Sequence, residues 1–206
     1  MNRTLAATAL ALGAVLTLAA CGGDDTTSSS STASSAAPSG SATPASGEHN
    51  NADVTFAQGM IPHHAQAIEM SDLLLAKDGV DPAVEELAQD IKSAQAPEME
   101  QMTGWLVGWD EDVPTDDGGS MGGMDHGSGD MPGMMSKEDM TALEDASGAD
   151  ASRLFLEQMV VHHRSAVGMA EMELEAGVSE DAKTLAKQII ESQTSEITTM
   201  TELLGG

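Results

Sequence analysis

The chain has 206 residues, 34 of them acidic and 8 basic, so its formal charge is −26 and its sequence pI about 4.1. Such a field repels nucleic acid and anionic membrane surfaces and attracts cations, so no nucleic-acid partner is expected. A single Cys excludes a disulfide scaffold and a multi-thiolate metal site, while two Phe, two Trp and no Tyr leave the core to aliphatic residues and to fifteen Met.

Asn2 and Arg3 precede an apolar run from Leu5 to Leu18, which is short for a membrane span and suited to an export signal over residues 1–20. The run closes on Leu18-Ala19-Ala20-Cys21-Gly22, which is similar to a bacterial lipoprotein box. Cleavage before Cys21 and lipidation of its thiol would consume the only sulfhydryl and anchor the protein on the outer side of the cell membrane. Residues 21–52 are otherwise Ser, Thr, Ala, Gly and Pro with a few acids, which bury too little apolar area to offset the entropy of ordering. They read as a tether, with the lipid as the only membrane contact.

Residues 53–206 carry helical periodicity. A first helix is predicted from Asp53 to Lys77, with Phe56, Met60, His63, Ala67, Met70 and Leu74 on one seam and Gly79 as a left-handed stop. Pro62 lies within it and should kink it. Asp81 caps a second helix that starts at Pro82 and buries Val84, Leu87, Ile91, Gln95, Met99 or Met102, and Leu106. These two form hairpin one (53–109). A Met-rich connection (110–149) follows, with a weaker helical stretch at Lys137 to Ala146. Hairpin two (150–206) starts at Asp150, turns at Gly177, and continues from the cap Ser179 to about Leu204.

The second hairpin repeats the first. Phe56, Met60, His63, His64, Ala67 and Met70 recur 99 positions later as Phe155, Met159, His162, His163, Ala166 and Met169. After one deletion, Gln95, Glu98, Met102 and Leu106 recur 98 positions later as Gln193, Glu196, Met200 and Leu204. The predicted fold is all-α, a four-helix bundle made of two duplicated hairpins. Counting outward from each turn sets the His pairs level with Gln95 and Glu98, and with Gln193 and Glu196. A central layer of Met, His, Gln and Glu follows. It is either a metal site or a core layer in which His bonds to Gln or Glu. His63 and His162 fall on the seam, and His64 and His163 lie about 100° round the helix. A di-iron carboxylate centre needs Glu-x-x-His, but Met60 and Met159 stand three residues before His63 and His162.

Within the connection, Met121, Met124, His126, Met131, Met134 and Met135 stand among Gly, Ser, Asp and Pro, a composition unsuited to a core. Thioethers and imidazole are the ligands available outside the cytoplasm for Cu(I), with Ag(I) by the same chemistry and Cu(II) through His126. Neither a nucleophile–base pair nor a phosphate loop is recognisable, and no enzymatic activity is expected.

The repeated Met-x-x-His-His-x-x-Ala and Gln-x-x-Glu-x-x-x-Met patterns, with Trp105 closing the first copy, resemble the bacterial family known as domain of unknown function 305. The second copy departs at Leu203, where that family's pattern has Trp. The resemblance covers about Asp53 to Leu204. It implies a ferritin-like fold, export, and for some members a link to copper handling, without a settled enzymatic activity. The expected function is an extracytoplasmic lipoprotein that binds copper, or another transition metal, for buffering, tolerance or handover to a donor or acceptor protein. Two alternatives are an envelope interaction or stress module with a structural His layer, and a metal-dependent oxidoreductase on a ferritin-like bundle.

Overall fold

The computed structural model describes residues 47–115 and 132–205. The export signal, Cys21, all of the tether before Gly47, and Met121, Met124, His126 and Met131 lie outside the described residues. Among these, regular structure is all helical: α1 (Asn51–Leu75), α2 (Pro82–Gly108), α3 (Lys137–Asp145), α4 (Gly148–Ala176) and α5 (Glu180–Gly205). α1 pairs with α2 and α4 with α5, and α1 also lies against α4.

Local chemistry sets the helix ends. α1 starts two residues before the expected Asp53, capped by Asn50: its side chain accepts the Ala52 and Asp53 N–H groups, and the Asp53 carboxylate accepts the Asn50 N–H in return. α1 stops at Leu75, earlier than expected, and Gly79 (φ +76°) serves the turn rather than the cap. Asp81 and Pro82 start α2 as predicted. Ser136 and Asp139 form a capping box for α3, and the Ser179 hydroxyl accepts the Ala182 N–H at the start of α5. Pro62 sits inside α1 and Pro97 inside α2, and both helices continue beyond them.

The core divides into two lobes. The first joins Phe56, Met60, Met102 and Leu106 to Ala166, Ala170, Leu185 and Ile189. The second joins Ala67, Met70, Leu87 and Ile91 to Phe155, Met159 and Met200. Equivalent positions of the sequence repeat therefore fall in opposite lobes, and each lobe draws on both hairpins.

α3 roofs the second lobe, against α1 and α4. Gln66 exchanges two hydrogen bonds with the Met135 backbone (2.7 and 2.9 Å), the Gln158 amide donates to the Asp139 carbonyl, and Lys77 donates to the Glu144 carbonyl. Met135 (7% exposed) and Leu143 are buried there, so Met135 is a core residue, contrary to the composition-based reading of its segment. Tertiary hooks, which local composition does not record, recruit it. The repeat equivalents of Gln66, Gln158 and Lys77 are Ser165, Gly59 and Ala176, and these line a groove of about 750 Å³ between α1 and α4.

At the junction of α1, α4 and α5, Asp53 and Glu173 are buried together. Asp53 accepts N–H groups from Asn50 (2.7 Å), Val178 (3.1 Å) and Ser179 (2.9 Å). Read as two carboxylates the pair has no donor, and Glu173 is left without a partner. One proton on Glu173 supplies the hydrogen bond between them. Burial first, and then the bond to Asp53 and its charge, push Glu173 up to about 8, against the opposing influence of Lys183. Burial also pushes Asp53 up, but the bond from Glu173 and the backbone N–H groups outweigh it and hold Asp53 below its ordinary value. Gly177 is required by space, since a Cβ there would lie 2.0 Å from the Glu173 carboxyl.

A pH dependence follows. Glu173 is raised in the folded state above its ordinary value of 4.5, so its contribution to stability is complete below that value and is lost as the pH climbs through about 8. Glu173→Gln keeps a neutral donor to Asp53. The difference in Tm between variant and wild type should shift in favour of the variant by several degrees between about pH 5 and 8. An unchanged difference across that range would show that the pair does not hold the proton.

Candidate metal centre

The spacing Met60, His63, Ala67, Met70 places thioether and imidazole on the buried face of α1, and Met159, His162 and Ala166 do the same on α4. Where α1 meets α4, the rings of His63 and His162 face each other with centroids 3.7 Å apart and planes 40° apart. The second member of each pair turns to its own hairpin. His64 Nε2 lies 2.6 Å from Glu98 Oε2 on α2, and His163 Nε2 lies 2.6 Å from Glu196 Oε2 on α5. The turn-counting register is therefore correct, and geometry decides what periodicity left open: the off-seam His of each pair takes the Glu.

All four rings are enclosed, with at most 1% exposure, while the two Glu side chains keep 17% and 18%. Both nitrogens of His63 and of His162 lack a hydrogen-bond partner, as do Nδ1 of His64 and of His163, both polar atoms of the Gln95 amide, and the Gln193 carbonyl oxygen. Burial, and after it the charges of His64 and His163, push His63 down to about 3. His162 is likewise pushed well below its ordinary value, chiefly by burial and then by His63, His163 and His64, against a weaker opposing pull from the His63 backbone. Both rings are therefore neutral at physiological pH, the form that offers a lone pair to a metal.

An unpaired buried polar group costs about 1–3 kcal/mol, so this layer is a poor core on its own terms. The donors within and beside it are neutral nitrogen and thioether sulfur, a set suited to a soft cation of low charge. Met60 and Met102 lie in the first lobe and Met70, Met159 and Met200 in the second, all fully buried, while Met169 is partly buried against the first. Among the described residues no group of three or more His, Cys, Asp or Glu is arranged to hold a metal ion, so thioethers would have to complete any site. Of the connecting segment, Met134 is half-buried and Met135 is taken up by the core.

The sequence reading passed over the Asp53–Glu173 pair and Pro97. A signal for Glu173 existed: Ala166, Ala170, Glu173 and Gly177 continue the buried seam of α4, where a charged residue is out of place. His49 also went unremarked, and it stacks on Trp109 with centroids 4.7 Å apart.

The sequence profile of the domain of unknown function DUF305 matches residues 53–204. This chain belongs to the DUF305 family. Among solved structures, it is similar to a DUF305 protein of Streptomyces coelicolor described as secreted, at 37% identity over 75% of this chain and 91% of that one, with a TM-score of 0.65. A DUF305 fragment from Deinococcus radiodurans matches at 30% identity over 77% and 99% of the two chains, with a TM-score of 0.67. CopM in its Cu(II)-bound form matches at 30% identity over 74% and 95%, with a TM-score of 0.61, and CopM is also known in Cu(I)-bound and Ag-bound forms. No curated protein matches the chain. The fold is the ferritin-like, all-helical one expected.

The unpaired layer makes a stability prediction. In metal-free protein, replacing both His63 and His162 by Leu should raise stability by roughly 1–3 kcal/mol, since apolar groups of similar size remove unsatisfied nitrogens. His64→Leu should instead lower it, because Glu98 loses its partner. Thermal melts that order the variants the other way would make His63 and His162 ordinary structural residues.

Proposed function

We propose that this member of the DUF305 family is an extracytoplasmic copper-binding lipoprotein that buffers Cu(I) or hands it to a partner, with copper as cargo rather than as a catalytic cofactor. The carrying observation is the facing pair His63 and His162, neutral, buried and without a partner on any ring nitrogen. Met60 and Met159 stand one turn before them. In the full reading the two hairpins form a duplicated four-helix bundle, and His63, His64, His162 and His163 supply nitrogen donors. Sulfur comes from Met60, Met102, Met159 and Met200, with Met70 and Met169 behind them, and Gln95 and Gln193 stand in the same layer. CopM, seen with Cu(II), Cu(I) and Ag, supports the choice of metal.

The segment holding Met121, Met124, His126 and Met131, continuing into Met134, would be a second, independent set of soft ligands. The charge of −26 raises the local concentration of cations around both. Lipidation at Cys21 would place the protein at the outer face of the cell membrane; among the described residues no helix is long and apolar enough to cross it.

A second reading, a structural His layer in an interaction module, is favoured by the two His–Glu contacts. It leaves His63 and His162 unexplained, because neither ring has a side-chain partner to lose.

The two readings separate by metal linkage. In a variant lacking residues 116–131, Cu(I) should raise Tm, since a ligand bound only by the folded state stabilises it. His63→Ala together with His162→Ala should abolish that rise. A Tm rise that survives the double substitution would confine copper chemistry to other residues. For the segment itself, the deletion should reduce bound Cu(I) in competition with a chelator while Tm of the metal-free protein barely moves.

A further inference from the structure

Among the described residues, Glu98 and Glu196 are the two partly exposed acids that reach the buried layer, and each makes the same contact. The His64 and His163 rings both present Nε2 to a carboxylate oxygen at 2.6 Å and leave Nδ1 buried without a partner. An ionised carboxylate only accepts, so Nε2 must carry the proton. Nδ1 of each ring lies fully buried with neither a donor nor an acceptor beside it, so it is the nitrogen left to a ligand. The contact thus does more than satisfy one ring atom, because it fixes which nitrogen is free.

We infer that Glu98 and Glu196 are positioning residues that lock His64 and His163 in the Nε2–H tautomer, so that Nδ1 of each ring is the donor offered to a soft cation in the central layer. The inference rests on the metal-binding reading above and adds the donor atom and the residue that selects it. Three features support it. The arrangement occurs twice, at the same distance, in the two halves of the repeat. The rings lie close to the facing pair, with the His162 and His163 centroids 6.3 Å apart. A carboxylate that accepts the distal N–H of a ligating His orients the ring and makes its free nitrogen more basic, and losing such a partner typically lowers metal affinity about 10–100-fold.

The experiment is side-chain nitrogen NMR on the full chain, first without metal and then titrated with Ag(I), which is diamagnetic. Without metal, His64 and His163 should show a protonated Nε2 and an unprotonated Nδ1, and Ag(I) should shift both Nδ1 signals. Glu98→Ala should release the His64 tautomer and weaken the Ag(I)-dependent shift of that ring roughly 10–100-fold in concentration. Glu98→Gln, whose carbonyl still accepts from Nε2, should keep the tautomer and recover most of the affinity. A purely structural Glu98 predicts instead that the alanine variant melts lower with its Ag(I) titration unchanged, which would overturn the inference. Rings found as Nδ1–H in the metal-free protein would overturn it too. If Ag(I) shifts His63 and His162 but neither Nδ1, only the donor assignment falls. If it shifts none of the four rings, the metal-binding reading falls with it.

Discussion

The facing imidazoles of His63 and His162 are the constraint on which the rest of the structure depends. Two neutral rings held 3.7 Å apart, far from water and without hydrogen bonds, persist only if the surrounding packing over-determines them. The two apolar lobes do that. Each closes one side of the layer with side chains from all four long helices, so neither His can turn outward without disturbing both lobes. Methionine suits the boundary, being flexible enough to fill the space round an imidazole and carrying a polarisable sulfur. In a chain almost without aromatic residues, it also supplies much of the core volume.

The junction at the other end of α4 works by the opposite rule. Asp53 is satisfied several times over: it completes the α1 capping box and takes the N–H groups that open α5. A carboxylate at a helix N-terminus meets unpaired donors and a favourable dipole, so its burial is offset where it stands. Glu173 shares in this only by keeping its proton. One buried polar cluster is thus closed and structural, and the other is open in its bonding and so suited to a ligand.

Much of this was legible in the chain. The 99-residue and 98-residue offsets, the seam of Phe56, Met60, His63, Ala67, Met70 and Leu74, and the cap at Asp81 are local or periodic signals. Helical periodicity and a tight turn convert them into geometry with little freedom left. Counting from Gly79 also put Gln95 level with His63 and Glu98 about one turn further along, in the same layer. Which ring would take the carboxylate was not legible, because His63 and His64 lie only about 100° apart on the helix and their rotamers answer to neighbours on other helices. Met135 misled for a related reason: a Gly- and Met-rich neighbourhood describes the segment, but Gln66, 69 residues away in sequence, decides that residue. The helix starts moved by two residues, to Asn51 and Gly148, because the Asn50 side chain caps α1 ahead of Asp53 and the first turn of α4 begins on Gly148.

α3 has one further consequence. The repeat supplies two equivalent seats between α1 and α4, but the hooks Gln66, Gln158 and Lys77 exist in only one of them, and Ser165, Gly59 and Ala176 stand in the other. Among the described residues the two seats are therefore alike in sequence position and unlike in the hydrogen bonds they make. Breathing motions cost least where the fewest contacts must break, so each hook that holds α3 raises the cost of opening the second lobe. Around the same four rings one side is thereby braced by tertiary hooks that the other copy of the repeat does not carry.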